Sequence, residues 1–206
     1  MDFTQTGKSM VKFSFQPNRA IWLFLLKVAI IYTVLLLPWL SLRENYGHFF
    51  RHLCRLVLVS DTGKRELTFL ALPSAHGMTQ TRIEIVNRSL MSYDGSGPVR
   101  NLDIDHGGFY RVSAFLSALV LATPMPGLRR IYALFFGWAS LHGFILLTVA
   151  FAIRNESRYV ALVNLNAQWQ EIADKFQHFL IAQISIAIPV LIWLGMLKLN
   201  IRVIRT

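Results

Sequence analysis

The sequence predicts an α-helical integral membrane protein, with about four transmembrane helices and a small α+β extracytoplasmic segment between the first two. Three observations predict it. Hydrophobic residues make up 54% of the 206-residue chain and charged residues only 16%, where a soluble domain carries roughly 25% charged residues. The apolar residues gather in long runs at 20–42, 108–123, 131–153 and 179–198. Lys and Arg flank those runs instead of forming one stripe.

The elements follow in order. Residues 1–19 form a polar tail carrying Lys8, Lys12 and Arg19. The run 20–42 is the first span; it is too long for a signal peptide and no small-residue cleavage site follows it. Lys27 lies inside it, and its stem can carry the ammonium back to the interface. Residues 43–107 form the extracytoplasmic segment. It opens on RENYGHFFRHLCRLVL, which reads as an amphipathic helix over 43–58. His48, Arg51, His52 and Arg55 fall on one face, and Phe49, Phe50, Leu53, Cys54, Val57 and Leu58 on the other. Such a helix either lies on the membrane surface or extends the first span and packs on the segment. Glu66–Leu72 and Thr81–Met91 read as strands, and SYDGSGPVRN as a turn-rich exit.

The second span, 108–123, is short, with Arg111 one turn inside its outer end. Ser113 and Ser117 stack on one face, a small-residue surface that lets another helix approach closely. Pro124, Pro126 and Gly127 break the helix, and Arg129 and Arg130 complete a basic turn at 124–130. The third span, 131–153, carries Gly137, Ser140 and Gly143, again suited to close packing. An outer connection at 154–178 precedes the fourth span at 179–198, and 199–206 is a short tail.

Charge sets the orientation. The first tail, the turn with Arg129 and Arg130, and the last tail with Arg202 and Arg205 are basic. In 154–178, Arg154, Arg158 and Lys175 are balanced by Glu156, Glu171 and Asp174. Short loops rich in Lys and Arg stay cytoplasmic, so both termini are placed there, in a bacterial inner membrane. The net charge of +10 would suggest nucleic acid in a soluble protein. Here the cations are dispersed beside apolar runs, so membrane lipid is the expected partner and nucleic acid is not.

Few residues offer chemistry. Cys54 is the single cysteine, so no internal disulfide is possible. With His52 or His106 it could make a Cys/His nucleophile, although Cys54 falls on the apolar face and His48 and His52 on the other. His48 and His52 are four apart and could bind zinc, but no Glu accompanies them. Asp103, Asp105 and His106 could hold a metal, or the acids could stabilise the start of a helix. His142 is the intramembrane ionisable group that most needs a reason, and Ser113, Ser117, Ser185 and Gln183 are its candidate partners. No phosphate loop, dinucleotide fingerprint or Gly-x-Ser-x-Gly elbow occurs. No cofactor and no metal are expected. Asn87 and Asn155 each open a glycosylation sequon.

The stretch Asn101–Pro124, NLDIDHGGFYRVSAFLSALVLATP, followed by Arg129-Arg130 and a Gly-containing apolar run, resembles the small membrane proteins encoded beside exosortases in Gram-negative bacteria. Those share an N-terminal span, an extracytoplasmic segment and an Asn-led apolar helix ending in a short basic turn. The chain departs from them in having no proline between Val112 and Leu121. The resemblance implies an accessory role beside an exosortase-like sorting enzyme and supplies no catalytic residues. Exosortases themselves use a Cys, Arg and His set, and Cys54 does not match its context.

The expected function is therefore a non-enzymatic accessory or scaffold protein in cell-envelope protein sorting. One rival is a membrane-embedded thiol transpeptidase or protease using Cys54 with a histidine. Another is a small transporter component with His142 on the pathway.

Overall fold

The computed structural model describes residues 19–59, 64–72, 80–93, 97–164, 166–184 and 187–203. Six helices and one sheet are found among them. Helix α1 is Arg19–Leu36 and α2 is Trp39–Leu58. Pro38 separates them, because its ring removes a backbone donor inside what would be one long helix. The Pro38 carbonyl then accepts from Leu42 N at 3.0 Å and starts α2. Strands β1 (Arg65–Leu72), β2 (Gln80–Asn87) and β3 (Val99–Asp105) form an antiparallel sheet in sequence order. Helix α3 is His106–Ala122 and α4 is Gly127–Glu156, with a 3-10 turn at Ser157–Val160. Helices α5 (Ala167–Ile184) and α6 (Ala187–Val203) complete the chain.

This overturns the four-span architecture. Among the described residues two helices, Arg19–Leu36 and Gly127–Val160, are long and apolar enough to cross a membrane. The run 108–123 became α3, which packs against α1, α2, α4 and α6 and buries most of its residues. A helix apolar on all sides can be covered by protein or by lipid, and hydropathy alone does not separate the two. The run 179–198 is divided between α5, which begins in the expected connection at Ala167, and α6, whose apolar stretch is the shorter Ala187–Lys198. The turn at 124–130 is shorter than expected, since Arg129 and Arg130 already stand in the first turn of α4.

The sheet is built by period-two alternation. Thr81, Ile83, Ile85 and Asn87 of β2 are buried, and Phe69 pairs with Ile83 across the strands. The strand expected to run from Thr81 to Met91 ends at Asn87, where Oδ1 accepts from Ser89 N at 3.0 Å and starts a 3-10 turn at Arg88–Leu90. Strand β3 stands where the sequence suggests only a polar cluster of Asp103, Asp105 and His106: Leu102 and Ile104 alternate with Asn101, Asp103 and Asp105 and pair with β2.

Helix α2 covers the sheet with a face that overlaps the expected one but is rotated towards Arg51. Phe50 and Cys54 are buried as read, but so is Arg51, whose Nη1 lies 3.5 Å from Thr81 Oγ1. Phe49 and Val57 are exposed instead. The buried line runs through Gly47, Phe50 and Cys54, with Leu58 half-buried at its end. These residues recur every three or four positions, as one helix face requires. The helix is thus separate from α1 and docks on the sheet.

A continuous core links these layers. Phe50 and Cys54 of α2 and Phe69, Ile83 and Ile85 of the sheet join Leu116 of α3 and Leu141, Ile145 and Ile153 of α4. A second cluster seats α1 on α3 through Val28, Ala118, Leu119 and Ala122. Tyr110 donates to the Leu35 carbonyl at 2.7 Å and holds the end of α1 to the start of α3.

Candidate functional site

The most developed polar constellation lies where α2, α3 and α4 meet. His142 is buried on α4, and its Nδ1 is 2.9 Å from the Trp138 carbonyl four residues earlier. A carbonyl can only accept, so Nδ1 carries the proton and Nε2 is left as an acceptor. The Tyr46 hydroxyl lies 3.4 Å from that Nε2. Trp138 Nε1 donates to Ser117 Oγ at 2.8 Å, and Ser117 donates in turn to the Ser113 carbonyl at 2.8 Å. Ser113 Oγ donates to the Phe109 carbonyl at 2.9 Å. Aromatic rings enclose the histidine: Phe49 meets it edge-on at 5.7 Å and Trp138 lies 5.7 Å away.

Among the described residues, the donors of this set have acceptors and these bonds include no carboxylate. The set therefore ties three helices together and offers no charged step for a proton. Burial pushes the Tyr46 hydroxyl up to about 12, keeping it protonated as a donor. The expected bond from the His142 ring to a serine of α3 is not found among the described residues; Trp138, whose carbonyl it engages, bonds Ser117 instead. Gln183 falls within α5 with its side chain outside the described residues, and Ser185 lies outside the described residues altogether.

The thiol candidates are not brought together. Cys54 is fully buried, and burial pushes its thiol up to about 12. A neutral, enclosed thiol is a packing group, not a nucleophile. His48 and His52 are exposed on the other side of α2. His106 is fully buried against Phe50, ring centroids 4.8 Å apart. Neither of its ring nitrogens has a hydrogen-bond partner among the described residues. Burial, then the nearby Arg51 charge, lowers its pKa to about 4, with Asp105 opposing.

The acids beside His106 face elsewhere. Asp105 Oδ1 accepts from Gly107 N at 2.8 Å and caps α3, an arrangement worth about 1 kcal/mol. Asp103 takes both forks of Arg82, at 2.8 and 3.0 Å, and this pairing holds its carboxyl below the usual range. Of the two readings for this cluster, the helix start is the one the geometry fits. Among the described residues no group of three His, Cys, Asp or Glu could hold a metal ion.

The small-residue positions divide. Ser113 and Ser117 are buried in α3. Gly137 is buried too, and a Cβ there would fall 2.5 Å from Met196 Cε, so its bareness lets α6 approach α4. Ser140 and Gly143 are exposed, and among the described residues nothing lies within 4 Å of a Cβ built at Gly143. Lys27 and Arg111 are exposed. Arg130 reaches back 3.1 Å to the Met125 carbonyl, just past the end of α3, so it ties that turn down as well as adding charge. The outer tail charges Lys8, Lys12, Arg202 and Arg205 lie outside the described side chains.

Sequence reasoning missed the joint between the sheet and α4. Asn87 Nδ2 donates to the Val160 carbonyl at 2.8 Å. Arg100 bonds Glu156 at 2.6 Å, and Arg158 takes both oxygens of Asp174 at 2.8 and 2.9 Å. Asn155 donates to Asp174 and Gln177. Both sequon asparagines, Asn87 and Asn155, are buried and engaged, so the folded chain presents neither as an acceptor. Tyr46 was also missed, although its spacing of four to Phe50 and again to Cys54 marks the docking face of α2.

Fold and site together define a helical bundle, two of whose described helices are long and apolar enough to cross a membrane, fastened to a small three-stranded sheet. No protein-family model matches the chain, and comparison with curated proteins and with solved structures gives no match.

Proposed function

We propose that this chain is a non-enzymatic accessory or scaffold protein of the bacterial inner membrane that assists an exosortase-type protein-sorting enzyme. One observation carries the membrane part. Ile21, Trp22, Leu26, Ile30 and Val34 of α1 and Phe135 and Phe136 of α4 are each at least 50% exposed. Apolar patches of that extent are rare on proteins that meet only water, and lipid accepts them without cost. Arg129 and Arg130 at the start of α4 support a cytoplasmic location for that end of the helix. The sheet then stands on the opposite side. The accessory role rests on the enclosed state of Cys54 and the satisfied state of His142, which leave those two residues to packing. The sorting partner rests on the resemblance of Asn101–Pro124 alone.

Alkaline carbonate treatment of native membranes is the first test, and the protein should stay in the pellet. Release into the supernatant would overturn the membrane reading. A mild-detergent pull-down of the tagged chain, read by mass spectrometry, tests the partner. A membrane enzyme in stoichiometric amount supports the accessory role; self-association with no partner sinks it.

A further inference from the structure

We infer that the cleft between the start of β1 and the far end of α4 binds the phosphate of an anionic lipid headgroup. The cleft has a volume of about 450 Å³ and is lined by Lys64, Arg65 and Arg154, with Ala150, Leu162 and Val163 as its apolar wall. Its cations come from two elements far apart in sequence. The Lys64 carbonyl accepts from Arg88 N at 2.9 Å, which pins the start of β1. Beyond α4 the chain reverses at Ala161, the one described non-glycine residue with positive φ, at 55°. Leu162 N then donates to the Ser157 carbonyl at 3.1 Å, folding Leu162 and Val163 back to close the cleft.

Two of the described acids beside the cleft are engaged with other cations. Glu66, next to Arg65, accepts from Arg88 at 2.9 Å, and Glu156, two residues after Arg154, accepts from Arg100 at 2.6 Å. Lys64 and Arg154 form no ion pair among the described residues. Cations gathered in one cleft repel each other unless an anion joins them. The positive-inside tendency does not account for them either, since they stand at the opposite end of α4 from Arg129 and Arg130. The occupant is an amphiphile because the cationic mouth adjoins an apolar wall, part of which is Ala150 of a membrane-length helix. Phosphate oxygens suit Lys and Arg donors at such a mouth.

This inference rests on the membrane reading, which carbonate extraction tests separately. The binding test uses the full chain in zwitterionic detergent, titrated with short-chain phosphatidylglycerol, short-chain phosphatidylcholine and inorganic phosphate. Phosphatidylglycerol should bind about tenfold or more tightly than phosphatidylcholine. The Lys64→Gln/Arg154→Gln variant should lose that preference, and Lys64→Arg should keep it. Equal binding of the two lipids, or an unchanged preference in the double variant, overturns the inference. Inorganic phosphate binding as tightly as phosphatidylglycerol overturns the lipid assignment. If the double variant does not fold, added salt decides: the wild-type preference must fall as ionic strength rises, and a salt-independent preference overturns it.

Discussion

Helices α1 and α3 are both apolar, yet they have opposite surroundings. In α1 only Val28 is buried, while α3 is enclosed from His106 almost to its end at Ala122. The difference lies in their small residues. Ser113, Ala114, Ser117, Ala118 and Ala122 let neighbouring helices come close to α3 on several sides. The surface of α1 is made of Ile, Leu, Val and Trp side chains that stand outward. Both helices are apolar, but one is covered by protein and the other keeps its apolar face exposed among the described residues.

The largest expected effect tests that contrast directly. Leu116 of α3 is fully buried, and Leu116→Ala should cost about 2–5 kcal/mol through lost contacts and a cavity. Leu26 of α1 is 57% exposed, and Leu26→Ala should change stability by about 0.5 kcal/mol or less. Denaturation of the two variants in detergent measures both. Equal losses would break the comparison, because α1 would then need a protein partner as much as α3 does.

Acid sharpens it next. His106 begins α3 in full burial, with its pKa lowered to about 4. Between that value and the ordinary histidine value of about 6.5, the unfolded chain binds a proton that the folded chain does not. The contribution to stability is therefore complete above the unfolded value and is lost as pH falls towards the folded one. The loss should reach about 3 kcal/mol. His106→Leu should remove this slope from melting curves recorded across the interval, relative to wild type. Identical slopes would mean that the ring meets water.

The smallest effect concerns the cover that α6 gives to α3. Trp193 Nε1 donates to Thr123 Oγ1 at 2.9 Å, and Thr123 donates to the Leu119 carbonyl at 2.7 Å. Thr123→Val keeps the shape and strands the indole donor, for an expected loss of about 1–2 kcal/mol. Thermal melting of the variant checks it, and no change would mean that α6 is held by apolar contact alone.

Much of this was legible in the chain. The apolar runs marked segments that leave water, the alternation through Thr81, Ile83 and Ile85 marked β2, and Pro124 to Gly127 marked the break between α3 and α4. The polar residues of α3 and α4 were legible as candidates, but not their pairing. His142 pointed towards a serine, and the bond to Ser117 comes from Trp138. The face of α2 was misjudged because Arg51 counts as polar by type while its stem is buried against the sheet.

The sequence by itself determined which segments avoid water and where the backbone must turn. Hydropathy and period report a residue's transfer out of water and its direction along one element. The tertiary structure alone decided what replaces the water: protein around α3, none of the described residues around most of α1. It also decided that Asn87 would be spent on the Val160 carbonyl, 73 residues away, and that Lys64 would meet Arg154 in one cleft. The free energy of leaving water is nearly the same for lipid and for a protein interior. Only contacts between residues remote in the chain select one cover over the other.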